Sequence, residues 1–202
     1  MNAVHQPAAV EAIVTSYNQG PLILEALDSL YRQTVRPSHI LLVDDGSTDP
    51  VSLALLAGIE AEPTPVPVRV LRRPNGGVSA ARNTGIRAAR ADFVLVLDGD
   101  DRLCPTFLEK TRSLLCARPA MVAASSWMRT FGVLDAEVRP TGGGLRDFLP
   151  RNGCPATHLL RRSAWEQCGG YDETMRAGFE DWEFFLSLLE TRPDAQIGIV
   201  QE

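Results

Sequence analysis

The chain has 202 residues, of which 45% are hydrophobic and 22% charged, enough for one globular domain with a substantial core. Its formal net charge of −5 argues against nonspecific nucleic-acid binding, and with Lys110 as the sole lysine there is no Gly-Lys pair, which excludes a G-x-x-x-x-G-K phosphate loop. Cys104, Cys116, Cys154 and Cys168 lie far apart and never form C-x-x-C, so the expectation is reduced structural cysteines rather than a zinc site or a disulfide framework.

Residues 1–10 read as a disordered leader. No basic segment precedes an apolar run there, and no stretch nears the ~20 apolar residues of a membrane span, so the expected location is the cytoplasm, with contact at the inner face of the membrane left open. Ala12 to Thr15 is a short apolar burst rich in β-branched residues, a buried strand closed by a turn at Ser16-Tyr17-Asn18. Pro21 suits the start of a helix whose apolar face runs to about Gln33. His39 to Val43 is a second strand, closed by Asp44-Asp45-Gly46-Ser47 and followed by a short helix from Val51 to Ala57 with Thr48 or Asp49 as its cap. A third strand over Val66 to Leu71, a helix over Val78 to Ala89 and a fourth strand over Phe93 to Leu97 continue the alternation.

Beyond Cys104 the pattern loosens. Phe107 to Ala117 reads as a helix, Met121 to Ser126 as a strand, and 132–156, with Gly142-Gly143-Gly144 and several prolines, as irregular chain. A strand near Thr157 to Leu160, a short helix from Ser163, a helix over Glu180 to Leu189 and a last strand at Ile197 to Val200 complete the reading. Continuously apolar strands alternating with helices imply an α/β, Rossmann-like domain with a mostly parallel sheet covered on both faces. Such sheets bind ligands at the carboxyl ends of their strands, where this chain carries its polar turns.

Asp98-Gly99-Asp100-Asp101 places three carboxylates in four residues after a buried strand. Hard oxygen ligands on a turn suit Mg²⁺ or Mn²⁺ together with substrate phosphates, although an isolated acidic turn is more often simply solvated. Asp45 stands where acidic residues of nucleotide folds accept from a base or ribose, yet Asp44 to Ser47 serve equally well as a turn and helix cap. Gly77 opens a helix whose free N–H groups attract anions, and Arg82 one turn on is within reach of a diphosphate; a plain helix start with a surface arginine is as good a reading. Glu180-Asp181-Trp182 begins another helix, where a first-turn carboxylate is favoured by the macrodipole and stays ionised, as a base for a hydroxyl must be. Trp182 offers a face for a sugar ring, against the plainer reading of a core tryptophan. His158 reads first as a structural histidine, with an acceptor or metal contact as the outside chance.

Together these pieces resemble the inverting family 2 glycosyltransferases, GT-A-fold enzymes of bacterial polysaccharide and cell-wall synthesis. The ordered set is Ile13 to Asn18, Leu42 to Asp49, Asn75-Gly76-Gly77 through Ala81 to Gly85, Asp98 to Asp101, Gly169 to Glu173 and Glu180-Asp181. The resemblance implies a single GT-A domain over 11–202, with a nucleotide-binding half at about 11–104 and an acceptor-side half at about 105–202. It also implies transfer, with inversion, from a nucleoside-diphosphate sugar (a UDP-sugar favoured) to a hydroxyl on a carbohydrate, lipid-linked or other acceptor. Thr15 and Tyr17 would cradle the base, Asp45 would accept from its edge, and Gly77, Arg82 and Asp98 would complete the nucleotide site. Asp100 and Asp101 would hold Mn²⁺ or Mg²⁺, Asp181 would be the catalytic base, and Glu180, Trp182 and His158 would lie on the acceptor or donor-sugar side.

The Q-x-x-R-W motif of processive members is absent, which favours transfer of a single sugar. The segment that usually follows the last strand is also missing, so the chain is expected to be a shortened form. Two rival readings stand beside this one. A sugar-nucleotide pyrophosphorylase would carry a glycine-rich basic loop after its first strand, where this chain has Ser16-Tyr17-Asn18. A non-catalytic sugar-nucleotide binder would not need the Glu180-Asp181 pair.

Overall fold

The structure, a computed structural model, describes residues 9–202; most of the expected leader lies outside them. Where the leader does meet the structure, Val10 is 3% exposed and opens the first strand, because its side chain has a place in the core.

The first half alternates as its apolar runs dictate: β1 (Val10–Ser16), α1 (Leu22–Tyr31), β2 (His39–Asp44), α2 (Pro50–Ala61), β3 (Val68–Arg72), α3 (Val78–Ala88) and β4 (Phe93–Asp98). Then follow α4 (Phe107–Ala117), β5 (Met121–Ser126), β6 (Met128–Thr130), β7 (Ala136–Val138), α5 (Leu145–Phe148), β8 (His158–Arg161), α6 (Arg162–Cys168), α7 (Glu180–Glu190) and β9 (Gln196–Val200). Seven strands form one sheet in the order β3-β2-β1-β4-β8-β5-β9. Pairing is parallel throughout except at β8, which runs antiparallel to both β4 and β5.

The sheet is covered on both faces, and the period of two along each strand divides the core accordingly. From β1, Val10, Ala12 and Val14 pack with Ile23 and Leu27 of α1, Leu56 of α2 and Leu108 of α4. Ile13 points the other way, to Ile86 of α3, Trp165 of α6 and the Phe184–Phe185 pair of α7. Helix α3 lies so close to β1 that a Cβ on Gly85 would stand 2.2 Å from Ile13 Cγ2, which is why a glycine sits there.

The stretch 132–156 is less irregular than its composition suggests. Strands β6 and β7 pair as a small separate hairpin, Met128 opposite Val138 and Thr130 opposite Ala136, and α5 supplies a single turn of helix. Strands of three residues are too short to show an alternation. Helix α2 is also longer than its apolar run implied; Asp49 caps it by accepting from Ser52 N–H at 2.8 Å, with Pro50 in the first turn.

Candidate active site

The polar turns collect along one sheet edge and are stitched to each other. After β1, Asn18 takes a positive φ of 53° and its Oδ1 accepts from the N–H groups of Thr48 and Asp49 at 2.8 and 2.9 Å. Its own N–H donates to Ser47 Oγ at 2.9 Å. The turn after β1 therefore braces the turn after β2, and leaves the Tyr17 ring half exposed. Gly99 follows β4, where a Cβ would meet Gln19 Oε1 at 2.1 Å and Thr15 O at 2.6 Å; it is the protein's own atoms that approach it.

Asp45 is 3% exposed, and its carboxylate accepts from Gly76 N–H at 3.0 and 3.1 Å, from Gly77 N–H at 2.7 Å and from the Arg73 guanidinium. The anion at the start of α3 is thus Asp45 itself, held where free N–H groups and the helix dipole favour negative charge. Gly77 adopts φ 87°, a backbone conformation that favours glycine at this helix start.

Arg82 corrects a sequence expectation. It is not a surface group reaching for a diphosphate: it is 2% exposed, donating to Asp98 Oδ2 at 2.8 Å and Glu180 Oε1 at 3.2 Å, with its guanidinium 5.4 Å from the centre of the Tyr171 ring. Asp98 Oδ1 in turn accepts from Thr15 Oγ1 at 2.8 Å. A continuous chain of Thr15, Asp98, Arg82 and Glu180 therefore joins the end of β1 to the start of α7.

Beside that chain opens a cleft of about 1000 Å³, whose walls include Asp100, Asp101, Asn152, Cys154, Thr157 and Asp181. Asp100 and Asp181, 81 residues apart, thus share one space, while Asp45 sits on the same sheet edge outside the cleft's lining. Asp101 accepts from Thr157 Oγ1 at 3.2 Å. Burial, and then the neighbouring Asp98 and Asp100 charges, hold its carboxyl above the ordinary value. Asp181 accepts from Trp182 N–H at 2.8 Å on Oδ1 and from Asn152 Nδ2 at 3.0 Å on Oδ2. Burial raises its pKa too; the Trp182 N–H bond works the other way and the Glu180 charge adds to the rise.

The donor set suits a hard divalent cation. Arg82 compensates Asp98, while Asp100 and Asp101, adjacent in one turn, line the cleft wall with no ion pair to an arginine among the described residues, as does Asp181, far from them in sequence. Among the described residues no three His, Cys, Asp or Glu gather as a metal cluster. Mg²⁺ and Mn²⁺ sites commonly need only one or two carboxylates, with phosphate oxygens and water completing the shell.

His158 and Trp182 sit as the plainer reading of each expected, in structural surroundings. His158 is 0% exposed, its Nδ1 bonded to Ala156 O at 2.6 Å and its ring 4.9 Å from that of Phe185, which is a structural role. Burial lowers its pKa to about 4, which keeps it neutral. Trp182 donates Nε1–H to Phe148 O at 2.8 Å and packs, partly buried, at the margin of the core.

Sequence reasoning missed Asn83, Asn152 and Thr157. Asn83, 1% exposed, donates to Tyr171 O and Glu173 Oε1 at 2.9 Å and accepts from Trp165 Nε1 and Tyr171 N at 3.0 Å. It therefore holds the Gly169 to Glu173 turn from beneath. The motif spacing contained the asparagine, but nothing in it gave the partner. Asn152 lay in chain that no periodicity ordered, and Thr157 was legible only as the start of a strand.

A model of the family described as Glycosyl transferase family 2 matches residues 11–178. The succinoglycan biosynthesis protein ExoW of Rhizobium meliloti is 34% identical over 66% of this chain and 44% of its own. The uncharacterized glycosyltransferase YwdF of Bacillus subtilis is 31% identical over 88% of this chain and 66% of its own. The chain thus spans under two thirds of the length of these curated relatives. Among solved structures, S. aureus TarS 1–349 in complex with UDP-GlcNAc superposes with a TM-score of 0.75 at 19% identity, over 96% of this chain and 58% of that one. The mannosyltransferase PcManGT from Pyrobaculum calidifontis, with GDP-Man and Mn²⁺, gives 0.71 at 22% identity, over 98% and 57%. These likenesses show the GT-A fold.

Proposed function

The chain belongs to the family 2 glycosyltransferases, and from that premise we propose that it moves a sugar from a nucleoside-diphosphate donor to an acceptor hydroxyl with inversion. The observation that carries this reading is the shared cleft: the Asp181 carboxylate and the Asp100-Asp101 pair face the same space.

In the proposed reaction the nucleotide lies along the stitched turns, with the exposed Tyr17 ring under the base. Thr15 and Asp98 form a rigid floor beneath the ribose. Asp45 and Gly77 keep that floor in place, and an edge-on contact from the base to Asp45 would require Arg73 to yield its place. Asp100 and Asp101 would hold Mn²⁺ or Mg²⁺, which supplies charge neutralisation for the diphosphate as it departs. Asp181 takes the proton from the acceptor hydroxyl as that oxygen attacks the anomeric carbon and the bond to the diphosphate oxygen breaks. Burial raises the pKa of Asp181 above an ordinary aspartate's, which makes its carboxylate a stronger proton acceptor. Glu180, paired with Arg82, sets the position of the first turn of α7 beside the donor sugar.

A UDP-sugar is the proposed donor. TarS, crystallised with UDP-GlcNAc, agrees with it, while PcManGT holds GDP-Man, so the base is itself an object of the test. No helix among the described residues is long and apolar enough to cross a membrane, which fits an enzyme that works in solution or against the inner face of one.

The test is nucleotide release from UDP-, GDP-, CMP- and dTDP-sugars with Mn²⁺, in the wild type and in Asp181→Asn. The substitution should lower turnover by roughly 10²-fold or more while UDP affinity measured by calorimetry stays at the wild-type value. Wild-type turnover in Asp181→Asn would overturn the base assignment. UDP binding without turnover of any of the four donors by the wild type would favour a non-catalytic binder.

A further inference from the structure

We propose that Asn152 is a positioning residue for Asp181, holding the carboxylate that the reading above makes the base. The two lie 29 residues apart, Asn152 in the stretch between α5 and β8 and Asp181 in the first turn of α7.

The orientation of the asparagine amide follows from its partners. Its Oδ1 accepts from Cys154 N–H at 3.1 Å, and that backbone group can only donate. The Nδ2 group must therefore face Asp181 Oδ2, 3.0 Å away, where an acceptor stands. A flipped amide would set oxygen against oxygen and N–H against N–H. The other carboxylate oxygen is held by Trp182 N–H at 2.8 Å. With one donor on each oxygen the carboxylate plane is fixed from two sides, and each oxygen keeps a second lone pair for a substrate hydroxyl.

The segment that carries Asn152 is itself anchored. Gly153 O accepts from Gly142 N–H at 2.9 Å, Thr157 O accepts from Ser125 Oγ at 2.6 Å, and Thr157 Oγ1 reaches Asp101 at 3.2 Å. One strap of chain thus contacts the proposed base with one end and a proposed metal carboxylate with the other. This gives a physical reason for an exposed asparagine to sit in an otherwise featureless loop.

The charged and titratable groups around Asp181 are Glu180 on its own helix, Arg82 from α3, the Cys154 thiol from the strap and the Tyr171 hydroxyl from the turn before α7. Asp100, Asp101 and Arg151 line the same cleft. Against that constant background, removing the Asn152 donor withdraws a bond made to the ionised form, so Asp181 should become harder to ionise. Replacing the amide by a carboxylate should act further in the same direction, since a like charge then stands where a donor stood.

The experiment titrates the Asp181 side-chain carbonyl by ¹³C NMR in the full chain labelled at aspartate Cγ, with the signal assigned by its loss in Asp181→Asn. The expected order of midpoints is wild type, then Asn152→Ala, then Asn152→Asp, rising. In parallel, with the donor the wild type turns over best, Asn152→Ala should lower kcat by roughly tenfold to a hundredfold with the donor KM unchanged, and Asn152→Ser, which keeps a short donor, should recover part of the loss. A merely structural asparagine would lower the melting temperature without reordering the midpoints. Equal midpoints in the wild type, Asn152→Ala and Asn152→Asp would overturn the positioning role. Unimpaired turnover in Asp181→Asn would instead strike the base assignment, a result the NMR order does not depend on.

Discussion

Replacing Arg82 by methionine keeps most of the side-chain bulk but deletes a guanidinium that is 2% exposed and bonded to two carboxylates. Removing one partner of a buried ion pair typically costs about 3–5 kcal/mol, because the survivor keeps its charge without compensation. The Asp98 and Glu180 side chains retain 22% and 17% exposure, so water softens the loss and the lower end, about 3 kcal/mol, is expected. The lost contact with the Tyr171 ring adds in the same direction, by roughly 0.5–1 kcal/mol. For a domain of this size, 3 kcal/mol corresponds to a melting temperature lower by roughly 6–12 °C. Differential scanning calorimetry of the wild type, Arg82→Met and Arg82→Met/Asp98→Asn measures it. The double variant should recover on the order of 1 kcal/mol, since it removes one of the stranded charges. A melting temperature for Arg82→Met within about 2 °C of the wild type would refute the reasoning, for it would mean that the bridge is solvated.

Two further outcomes follow from the site. His158 titrates at about 4 in the folded protein against 6.5 for the unperturbed group, so between those values the unfolded chain takes up a proton that the folded chain refuses. Stability should therefore fall as the pH drops from 6.5 towards 4, by up to about 3 kcal/mol from this one group, and denaturant unfolding of His158→Leu across that window should show a shallower slope than the wild type. An identical slope would move the acid sensitivity to other groups. Asp100→Ala should abolish the Mn²⁺-dependent part of UDP affinity in calorimetry; an unchanged Mn²⁺ response would place the cation elsewhere.

What the sequence made legible was whatever a local pattern can encode. Ile40 to Val43 and Phe93 to Leu97 are buried on both faces, so they read as unbroken apolar runs, and their alternation with helices implied the parallel half of the sheet. The acidic turns followed, since they close those strands. The direction of β8 was not readable, because Leu159 and Leu160 signal burial equally in either orientation. Side-chain partners were not readable either. Arg82 has the spacing of an anion-binding arginine, and only the convergence of β4 and α7 shows that its anions are Asp98 and Glu180. The same holds for Asp45, whose donors come from chain some 30 residues away, and for Asp181, whose holder sits in a loop.

The reversal of β8 has a consequence for the chain that enters it. In a sheet of parallel strands every loop at the working edge follows a strand, so altering it also shifts the helix behind. Here the stretch between Val138 and Thr157 arrives at that edge ahead of its strand and is pinned at both ends, by the β6–β7 hairpin and by the Thr157 contacts with Ser125 and Asp101. It is also tied down in between, since Gly143 exchanges backbone hydrogen bonds with Ile197 at 2.9 Å and Phe148 of α5 is 0% exposed in the core, so the chain that carries Asn152 is part of the fold rather than an appendage to it.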